Sequence, residues 1–429
     1  MTSSHKIASH IEQRTLENGI QVVVDTSNDA QTVAIEFAAR AGSCDEIGVP
    51  FGTAHFLEHM VFKGTESRTS DDIHCAITST GGYLNACTDM DTTSFQCLTL
   101  EEDFETAADV LADMIQNATL TEESVELEKK VIREELRGGG GGQAVLNECL
   151  LYAAYGDQDV SRPIIGLEDS IQEITPSILR DFRNAYYCSD NLIVSVAGPV
   201  SIDRVCEVVG EKFRNTPRGS RKPMPTFDYC GGEQGFACTC ERGVVKYGYD
   251  MPHPRNDTAM AATLFSNIVG YGPTSRLNRE LREKRGLVYS VETGNAVMCN
   301  NALMVFETEG HASKIKDIFL LMDDLIHGAA ETLSEEELNT AKRQWMTWDR
   351  MQRDSMQQRC QSNMYDLITC GNVLDPNLVH GKLRDLAADD VKAVAKLVLG
   401  SMPSLAIHGP ARGMPKLAQL PKRDYLRAA

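Results

Sequence analysis

The stretch DFRNAYYCSDNLIVSVAGPV, residues 181–200, has the pattern of an amphipathic helix followed by an apolar strand and a Gly-Pro turn. The same order recurs in DVKAVAKLVLGSMPSLAIHGPA, residues 390–411, and Gly198 and Gly409 are 211 residues apart. VLADMIQNATLTEESVELEKKV and FLLMDDLIHGAAETLSEEELNTAKR form a second similar pair, at an offset of 213 residues. Two independent matches at nearly one offset predict two similar halves of about 200 residues each.

Each half combines alternating strand segments such as TVAIEFAAR with long amphipathic segments such as FETAADVLADMIQNA. Segments of both kinds without strict strand–helix–strand alternation predict an α+β fold, in which helices pack on antiparallel-rich sheets. A segment rich in Pro, Gly and basic residues, RNTPRGSRKPMPTFDYCGGEQG, separates the halves. The sequence therefore predicts an N-terminal domain at 1–213, a linker at 214–235 and a C-terminal domain at 236–429.

The composition argues against several classes of partner. The formal net charge of −19 disfavours nucleic acid and anionic membrane surfaces, and it would attract a basic substrate. No apolar run approaches the length of a membrane span, so we expect no transmembrane segment. The 13 Cys form no CxxC pair, which favours free thiols in a reducing compartment. The N-terminal stretch MTSSHKIASHIEQRTLENG has the pattern of neither a secretory signal nor an Arg-rich transit peptide.

The short motif HFLEH, residues 55–59, indicates metal-binding chemistry. In a helix, positions i and i+4 share one face and i+3 lies beside them, so His55, Glu58 and His59 project together. Two neutral imidazoles can bind zinc, while the carboxylate can take a proton from metal-bound water. The order HxxEH is a zinc-protease signature, although the same three residues also suit the solvated face of an ordinary helix.

A zinc hydrolase needs a third protein ligand, which we expect to be a carboxylate on another element. The segment ESVELEKKVIREELRG, residues 123–138, is acid-rich and strongly helical. Glu128 and Glu135 lie two turns apart on one face of this predicted helix. Most acidic helices are solvated surface, so the spacing by itself leaves the identity of the third ligand open.

FGTAHFLEHMVFKGT, GGYLNACT and the pattern ExExxVIxEEL together resemble the pitrilysin-type zinc metallopeptidases, the HxxEH or inverzincin family. The resemblance implies one zinc ion per chain, bound by His55, His59 and Glu135, which lies 76 residues past His59. It further implies that Glu58 is the catalytic base. Glu128 then matches a glutamate that organises the site without binding the metal ion.

The resemblance extends over nearly the whole chain. SRPIIG, residues 161–166, is similar to a family loop, and PTSRLNRELREKRGLVYSV is similar to a signature of the family's second half. There an Arg and a Tyr seven residues apart hold and polarise the substrate carbonyl, which implies roles for Arg282 and Tyr289. The family fold implies half of a clamshell peptidase chamber. A second two-domain chain, an α-type subunit or a copy of this one, would complete it.

The resemblance also implies how substrate is held. Asn85 and Ala86 lie in a predicted hairpin whose edge strand, in the family, adds the substrate peptide as an extra strand, although Asn85 also suits a turn cap. Within the family the chain is most similar to the β-type subunit of the mitochondrial processing peptidase. That similarity implies that Glu148 binds a substrate Arg, but Ala144 stands where a second carboxylate is expected.

These features together predict a zinc-dependent endopeptidase that removes basic, Arg-containing presequences in the mitochondrial matrix or a related organelle. Two alternatives stay open: a general oligopeptidase of the bacterial cytoplasm, and a largely structural core subunit of a respiratory bc1 complex. The intact His and Glu motif favours an enzyme over the structural subunit. The glycine run Gly138–Gly142 departs from the family pattern and predicts a flexible connector after the preceding helix.

Overall fold

The computed structural model describes residues 10–138, 141–220, 223–410, 414–423 and 425. Within these ranges the strands are β1 (His10–Thr15), β2 (Gln21–Thr26), β3 (Thr32–Ala39), β4 (Tyr83–Thr88), β5 (Thr93–Leu100), β6 (Leu192–Gly198), β7 (Gly232–Ala237), β8 (Arg242–Asp250), β9 (Val288–Met298), β10 (Asn301–His311) and β11 (Ser404–Gly409).

The helices of the same ranges are α1 (Thr53–Met60), α2 (Ser70–Thr78), α3 (Phe104–Asn117), α4 (Glu122–Gly138), α5 (Gly141–Tyr155), α6 (Glu168–Glu173), α7 (Pro176–Tyr186), α8 (Ile202–Lys212), α9 (Ala259–Gly270), α10 (Ile315–Thr332), α11 (Glu335–Gln352), α12 (Met356–Cys370), α13 (Pro376–Asp385) and α14 (Ala388–Leu399). A π-helical segment at Asn278–Glu283 precedes β9. None of these helices combines the length and the hydropathy that crossing a bilayer requires.

The strands form two sheets of the same design. The first has the order β1-β2-β6-β3-β5-β4 and the second the order β7-β11-β8-β10-β9. In each sheet one pair is parallel, β2 with β6 and β7 with β11, and the other pairs are antiparallel. From β7 onwards the second sheet therefore repeats the first without its β1 strand. The predicted α+β fold of two similar sheet-and-helix halves is confirmed.

The sequence repeat marks equivalent positions in the two sheets. Gly198 ends β6 and Gly409 ends β11, and each of these strands is the partner in the parallel pair of its sheet. Each sheet packs its apolar face against helices in a separate core. The first core is built around Phe37, Phe56 and Phe95. The second core contains a different set of aromatic side chains, Phe265, Phe306 and Phe319.

The chain divides into two compact units that are not continuous in sequence. The first takes the described residues within Met1–Gly139, Arg162–Met224 and Trp348–Leu378, and the second takes those within Gly140–Ser161, Pro225–Thr347 and Val379–Ala429. These units differ from the continuous domains predicted at 1–213 and 236–429.

The difference arises because each predicted half gives one helix to the sheet of the other. Helix α5 packs on β7, β8 and β11, where Leu146 and Leu150 are buried against Ala406. Helix α12 packs on β2, β3 and β6, where Met364 and Leu367 are buried. Each is the third α-helix after a hairpin, β4–β5 for α5 and β9–β10 for α12, so the exchange is reciprocal. Sequence similarity between the halves carries no information about which sheet such a helix covers.

The glycine run lies at the start of one exchanged helix. Helix α4 ends at Gly138 and α5 begins at Gly141, and residues 139–140 lie outside the described residues. The flexible connector expected there stays a prediction.

An ion pair attaches α12 to the first sheet. Arg359 Nε donates to Asp25 Oδ2 at 2.8 Å, and Arg359 Nη2 donates to the other carboxylate oxygen. The Asp25 side chain has no exposed surface, and that of Arg359 is 9% exposed. Such a pair contributes less than its Coulomb attraction indicates, because both charges are removed from water, but loss of one partner is costly.

We therefore predict that Arg359→Leu lowers the free energy of unfolding by about 3–5 kcal/mol, because it removes the charge that compensates the buried Asp25 carboxylate. The double variant Asp25→Leu/Arg359→Leu should regain much of this loss. Denaturant titration of both variants measures the difference. As a control, Arg204→Leu removes an exposed pair with Glu105 and should change stability little. An Arg359→Leu protein as stable as the wild type would contradict the prediction.

Candidate metal centre

Helix α1 carries the HxxEH motif and is anchored at its N-terminus by a buried carboxylate. Glu46 Oε2 accepts the backbone N–H of Gly52 at 3.0 Å, and Oε1 accepts that of Ala54 at 2.8 Å. These bonds satisfy N–H groups that a helix start leaves without intrahelical partners. Burial raises the pKa of Glu46 to about 7, although the two backbone hydrogen bonds oppose this rise. Phe56 and Leu57 hold the opposite face of α1 in the core.

The loop at 161–166 packs directly on this helix start. Gly52 and Gly166 both have φ near +88°, and a Cβ added at either position would lie 2.4 Å from a backbone carbonyl oxygen of the other segment. Only glycine allows the two backbones to approach so closely. Ser170 Oγ donates to the Phe51 carbonyl at 2.8 Å and so adds a hydrogen bond between α6 and the segment before α1. The loop recognised in the sequence therefore supports the start of α1.

The structure brings together the three residues that the sequence proposes as zinc ligands. His59 Nε2 lies 3.5 Å from Glu135 Oε2, and His55 Nε2 lies 3.8 Å from Glu135 Oε1. The ring centroids of His55 and His59 are 4.6 Å apart. One donor atom from each of the three residues lies within 4.8 Å of the others. All three belong to the first unit, on α1 and α4.

These distances fit a single zinc ion. They are longer than a hydrogen bond. They are close to about 3.4 Å, the separation expected between two ligand atoms that bind one zinc ion tetrahedrally at about 2.0–2.1 Å. Two imidazole nitrogens and one carboxylate are the donor set of many catalytic zinc sites, which keep a fourth position for water or substrate. The Glu135 side chain is 37% exposed, so solvent reaches this side of the cluster.

A hydrogen-bonded glutamate orients one of the histidines. His59 Nδ1 donates to Glu128 Oε1 at 2.8 Å, which leaves the Nε2 lone pair directed at the cluster. Lys63 Nζ forms an ion pair with the other Glu128 oxygen at 2.7 Å, and the Glu128 side chain is 1% exposed. Burial acts to raise the pKa of Glu128, but the hydrogen bonds from His59 and Lys63 outweigh it and hold that pKa below its usual value.

The two histidines differ in their tendency to bind a proton. Burial, reinforced by the neighbouring His59, lowers the pKa of His55 to about 3. Burial also acts to lower the pKa of His59, but the hydrogen bond to Glu128 and the surrounding carboxylate charges outweigh it and raise that pKa. His55 is thus neutral over a wide pH range, whereas a metal ion at His59 would compete with a proton.

Glu58 lies beside the cluster and is held by a residue of β4. Thr88 Oγ1 donates to Glu58 Oε2 at 2.5 Å. Burial raises the pKa of Glu58 above its usual value, and the Thr88 hydrogen bond opposes the rise. A carboxylate with a raised pKa is a stronger base than an exposed one, which suits proton transfer near neutral pH.

The strand that carries Thr88 also carries the proposed substrate-binding residues. Strand β4 is the last strand in the order of the first sheet and pairs only with β5 among the described strands. Asn85 is exposed and Ala86 is half-buried on this strand. A strand edge of this kind can pair with an extended peptide, and its far end lies at Glu58.

The remaining proposed site residues belong to the second unit. Arg282 is in the last turn of the π-helical segment, and its guanidinium carbon lies 5.6 Å from the centre of the Tyr289 ring. The structure therefore brings these two residues together, and Tyr289 is 79% exposed. Glu148 and Ala144 lie on α5, and both are half-buried. Burial raises the pKa of Glu148.

The sequence did not predict three residues that support the site through their contacts with Glu128, Glu58 and the start of α1. Lys63 follows His59 by four residues, and this helical spacing could have indicated a shared face. Thr88 lies two residues after Ala86 and therefore on the same face of β4, which is a weaker signal. No spacing in the sequence indicates the role of Glu46. It caps α1 from a loop, and the path of that loop depends on the tertiary fold.

Comparisons with known proteins point in the same direction as the geometry. A model of the insulinase family (Peptidase family M16) matches residues 21–168, and a model of the Peptidase M16 inactive domain matches residues 173–345. An uncharacterized zinc protease of Mycobacterium leprae is 30% identical over 336 residues, which cover 76% of this chain and 76% of that protein. An uncharacterized zinc protease of Streptomyces coelicolor is 28% identical over 423 residues, which cover 94% of this chain and 90% of that protein.

Two solved structures share the fold. A protease from Helicobacter pylori matches with a TM-score of 0.87 at 22% identity, over 94% of this chain and 100% of that chain. The Peptidase M16 inactive domain from Pseudomonas fluorescens matches with a TM-score of 0.82 at 18% identity, over 95% of this chain and 100% of that chain. At these identities the likeness establishes the fold alone.

The ligand assignment can be tested at two neighbouring glutamates of α4. Glu135 faces the histidines, whereas the Glu134 side chain is 75% exposed and pairs with Arg137. Glu135→Gln should weaken zinc binding by more than the roughly 10–100-fold that loss of an outer partner costs. Glu134→Gln, the matched control, should retain one zinc ion per chain. Metal analysis after dialysis distinguishes the two variants, and zinc loss in Glu134→Gln alone would refute the assignment.

Proposed function

Because this chain belongs to the insulinase family, Peptidase family M16, we propose that it is a zinc-dependent endopeptidase whose active site lies on α1 and α4. The observation that carries the proposal is the convergence of His55, His59 and Glu135 in the first unit, with Glu58 beside them. A zinc ion bound by the three residues would supply Lewis-acid chemistry, which polarises the scissile carbonyl and lowers the pKa of the attacking water. A structural subunit with no catalytic role would have no need of this donor set.

Glu58 is the residue that accepts the proton in this proposal. The Thr88 hydroxyl donates to Oε2, and the Thr88 backbone also bonds to this carboxylate, so its remaining lone pairs would accept the proton from water. Thr88 also restricts the rotation of the carboxylate, which keeps the base in one orientation. We assign Arg282 and Tyr289 to the substrate carbonyl, since both side chains are exposed hydrogen-bond donors that lie against each other.

Substrate is proposed to bind as an extended strand on β4. Pairing through backbone groups makes few contacts with the side chains of the substrate, so peptides of many different sequences can bind. The relatives from Streptomyces coelicolor and Mycobacterium leprae, both bacteria, are named zinc proteases, which favours a general oligopeptidase over a peptidase specific for mitochondrial presequences. Presequence cleavage remains the second candidate, supported by the net charge of −19 and by Glu148.

The proposed assembly contains two such chains. In the peptidase family that the chain resembles, a complete chamber contains four domains of this kind. This chain supplies two sheet-and-helix units. The partner is then a second copy of the chain or a related two-unit subunit. The proposed compartment follows the choice of substrate: a bacterial cytoplasm for the oligopeptidase, and a mitochondrial matrix for the presequence peptidase.

We predict that Glu58→Gln retains zinc but loses peptide hydrolysis by about 10²–10⁴-fold in kcat, the usual contribution of a general base, or more. Zinc is retained because Glu58 is not among the three converging donors. The measurement is kcat on a fluorogenic peptide, together with metal analysis of the same sample. The Glu134→Gln variant serves as the control with full activity. A fully active Glu58→Gln protein would overturn the proposed mechanism.

A second prediction separates the two substrate classes. For a general oligopeptidase, Glu148→Gln should change kcat/KM less than about twofold on each of two peptides that differ only in Arg versus norleucine near the scissile bond. Recognition of the Arg by Glu148 would instead give a loss of roughly five- to a hundredfold on the Arg peptide alone, from about 1–3 kcal/mol of charge-assisted hydrogen bonding. Equal losses on both peptides would assign Glu148 to the support of α5.

A further inference from the structure

A second group of metal-binding side chains lies in the second unit, on elements that the proposed active site does not use. Cys238, Cys240 and His408 each place one donor atom within 4.8 Å of the others, and all three residues are half-buried. The sequence predicts free thiols, but the structure joins Cys238 and Cys240 by a disulfide, and no second disulfide is present in the described part of the chain.

The sheet topology explains why these residues meet. Strands β7 and β8 flank β11, with β7 parallel and β8 antiparallel to it. The short connection from β7 to β8 must therefore pass over the carboxyl end of β11, where His408 lies. Cys238 and Cys240 are in this connection, and the Cys238 N–H donates to the Gly409 carbonyl at 2.9 Å. The connection is also fixed at its other end, since the Glu241 carbonyl accepts the N–H of Ala312 at 2.8 Å.

The imidazole is held in place by a neighbouring aromatic ring. His408 is the single residue of β11 that is not buried, in a strand otherwise made of Ser404, Leu405, Ala406, Ile407 and Gly409. Its ring stacks on Phe236, with the centroids 4.2 Å apart and the planes at 21°. Phe236 and His408 are paired in the register of β7 and β11, so the stack follows from the backbone. A ring held in this way loses little further freedom when it binds an ion.

We propose that Cys238, Cys240 and His408 form a second metal site, which binds a thiophilic ion such as Zn²⁺ when the two cysteines are reduced. Two thiolates and one imidazole are ligands that such ions prefer, and the exposed side of the group leaves a fourth position for water. The site is separate from the HxxEH cluster, with which it shares neither residues nor compact unit, and it contains none of the other residues assigned to the peptidase.

The disulfide and the metal complex are alternative states of the same two sulfurs. A dithiol reductant transfers two electrons and two protons to the disulfide, which yields two thiols and the oxidised reductant. Binding of a divalent ion then releases the two thiol protons and forms two metal–sulfur bonds. The oxidised chain therefore lacks the proposed site, whereas the HxxEH cluster, which contains no cysteine, is unaffected by the redox state.

Cobalt(II) titration of the full-length chain tests the proposal, because only thiolate ligands give intense sulfur-to-cobalt charge-transfer absorption. The reduced wild type should develop this absorption with one equivalent of Co²⁺ bound at the site, and Zn²⁺ should displace it. The oxidised chain should not develop it. Cys238→Ser/Cys240→Ser should lack the absorption, and His408→Ala should bind Co²⁺ at least about tenfold more weakly.

Cys75→Ser is the matched control, since Cys75 is exposed, free and located on α2 of the first unit. It should retain the full absorption. Circular dichroism of each variant reports whether the chain is folded, and His408→Ala tests the site with both cysteines intact. Absence of the absorption from the reduced wild type, or its persistence in Cys238→Ser/Cys240→Ser, would overturn the proposal.

Discussion

The buried carboxylate of Glu128 is the interaction on which the candidate active site depends. It accepts a hydrogen bond from His59 and pairs with Lys63, so one side chain of α4 is tied to two positions on and just after α1. A carboxylate with 1% exposure is stable only when its charge is compensated, and these two partners provide the compensation. The same contact sets the rotation of α4 about its axis. Glu135, two turns further along, consequently faces the free Nε2 atoms of His55 and His59.

A second constraint acts at the start of α1. Glu46 bonds to the first N–H groups of the helix, and the close approach of Gly52 to Gly166 holds that start against the loop before α6. The helix that carries the HxxEH motif is only eight residues long, and isolated helices of that length are not stable in water. Its position is therefore determined by these contacts at the start, by Glu128 at the end, and by Phe56 and Leu57 in the core. A site that must hold an ion to within fractions of an ångström needs support of this kind on every side.

The two units share one topology but carry different motifs. Both units arrange a parallel strand pair and an antiparallel run in the same order, but the HxxEH motif is present only in the first half. In the second unit, the region equivalent to α1 and α2 contains α9 and the π-helical segment with Arg282. The repeated topology also places the carboxyl ends of β6 and β11 in equivalent positions. A connection that carries two cysteines passes over only the second of these ends, so the proposed second metal site has no counterpart at the first.

Much of the fold and of the site was determined by the sequence itself. Period-two and period-3.6 patterns define strands and helices through local geometry, and the repeat at an offset near 211 predicts two similar halves, as found. The helical spacing of His55, Glu58 and His59 likewise follows from 3.6 residues per turn, so their common face needs no tertiary information. The resemblance to a peptidase family supplied Glu135 and Glu128, which spacing alone left open.

Only the tertiary structure decided the rest, because the deciding contacts join residues far apart in the chain. No local pattern shows that α5 and α12 cover the sheets of the opposite halves, since an amphipathic helix fits any apolar sheet of suitable shape. No spacing rule places Glu46 under α1 or Thr88 against Glu58. Cys238 and Cys240 meet His408 for the same reason: strand order, which depends on long-range pairing rather than on local sequence, carries their connection across the end of β11.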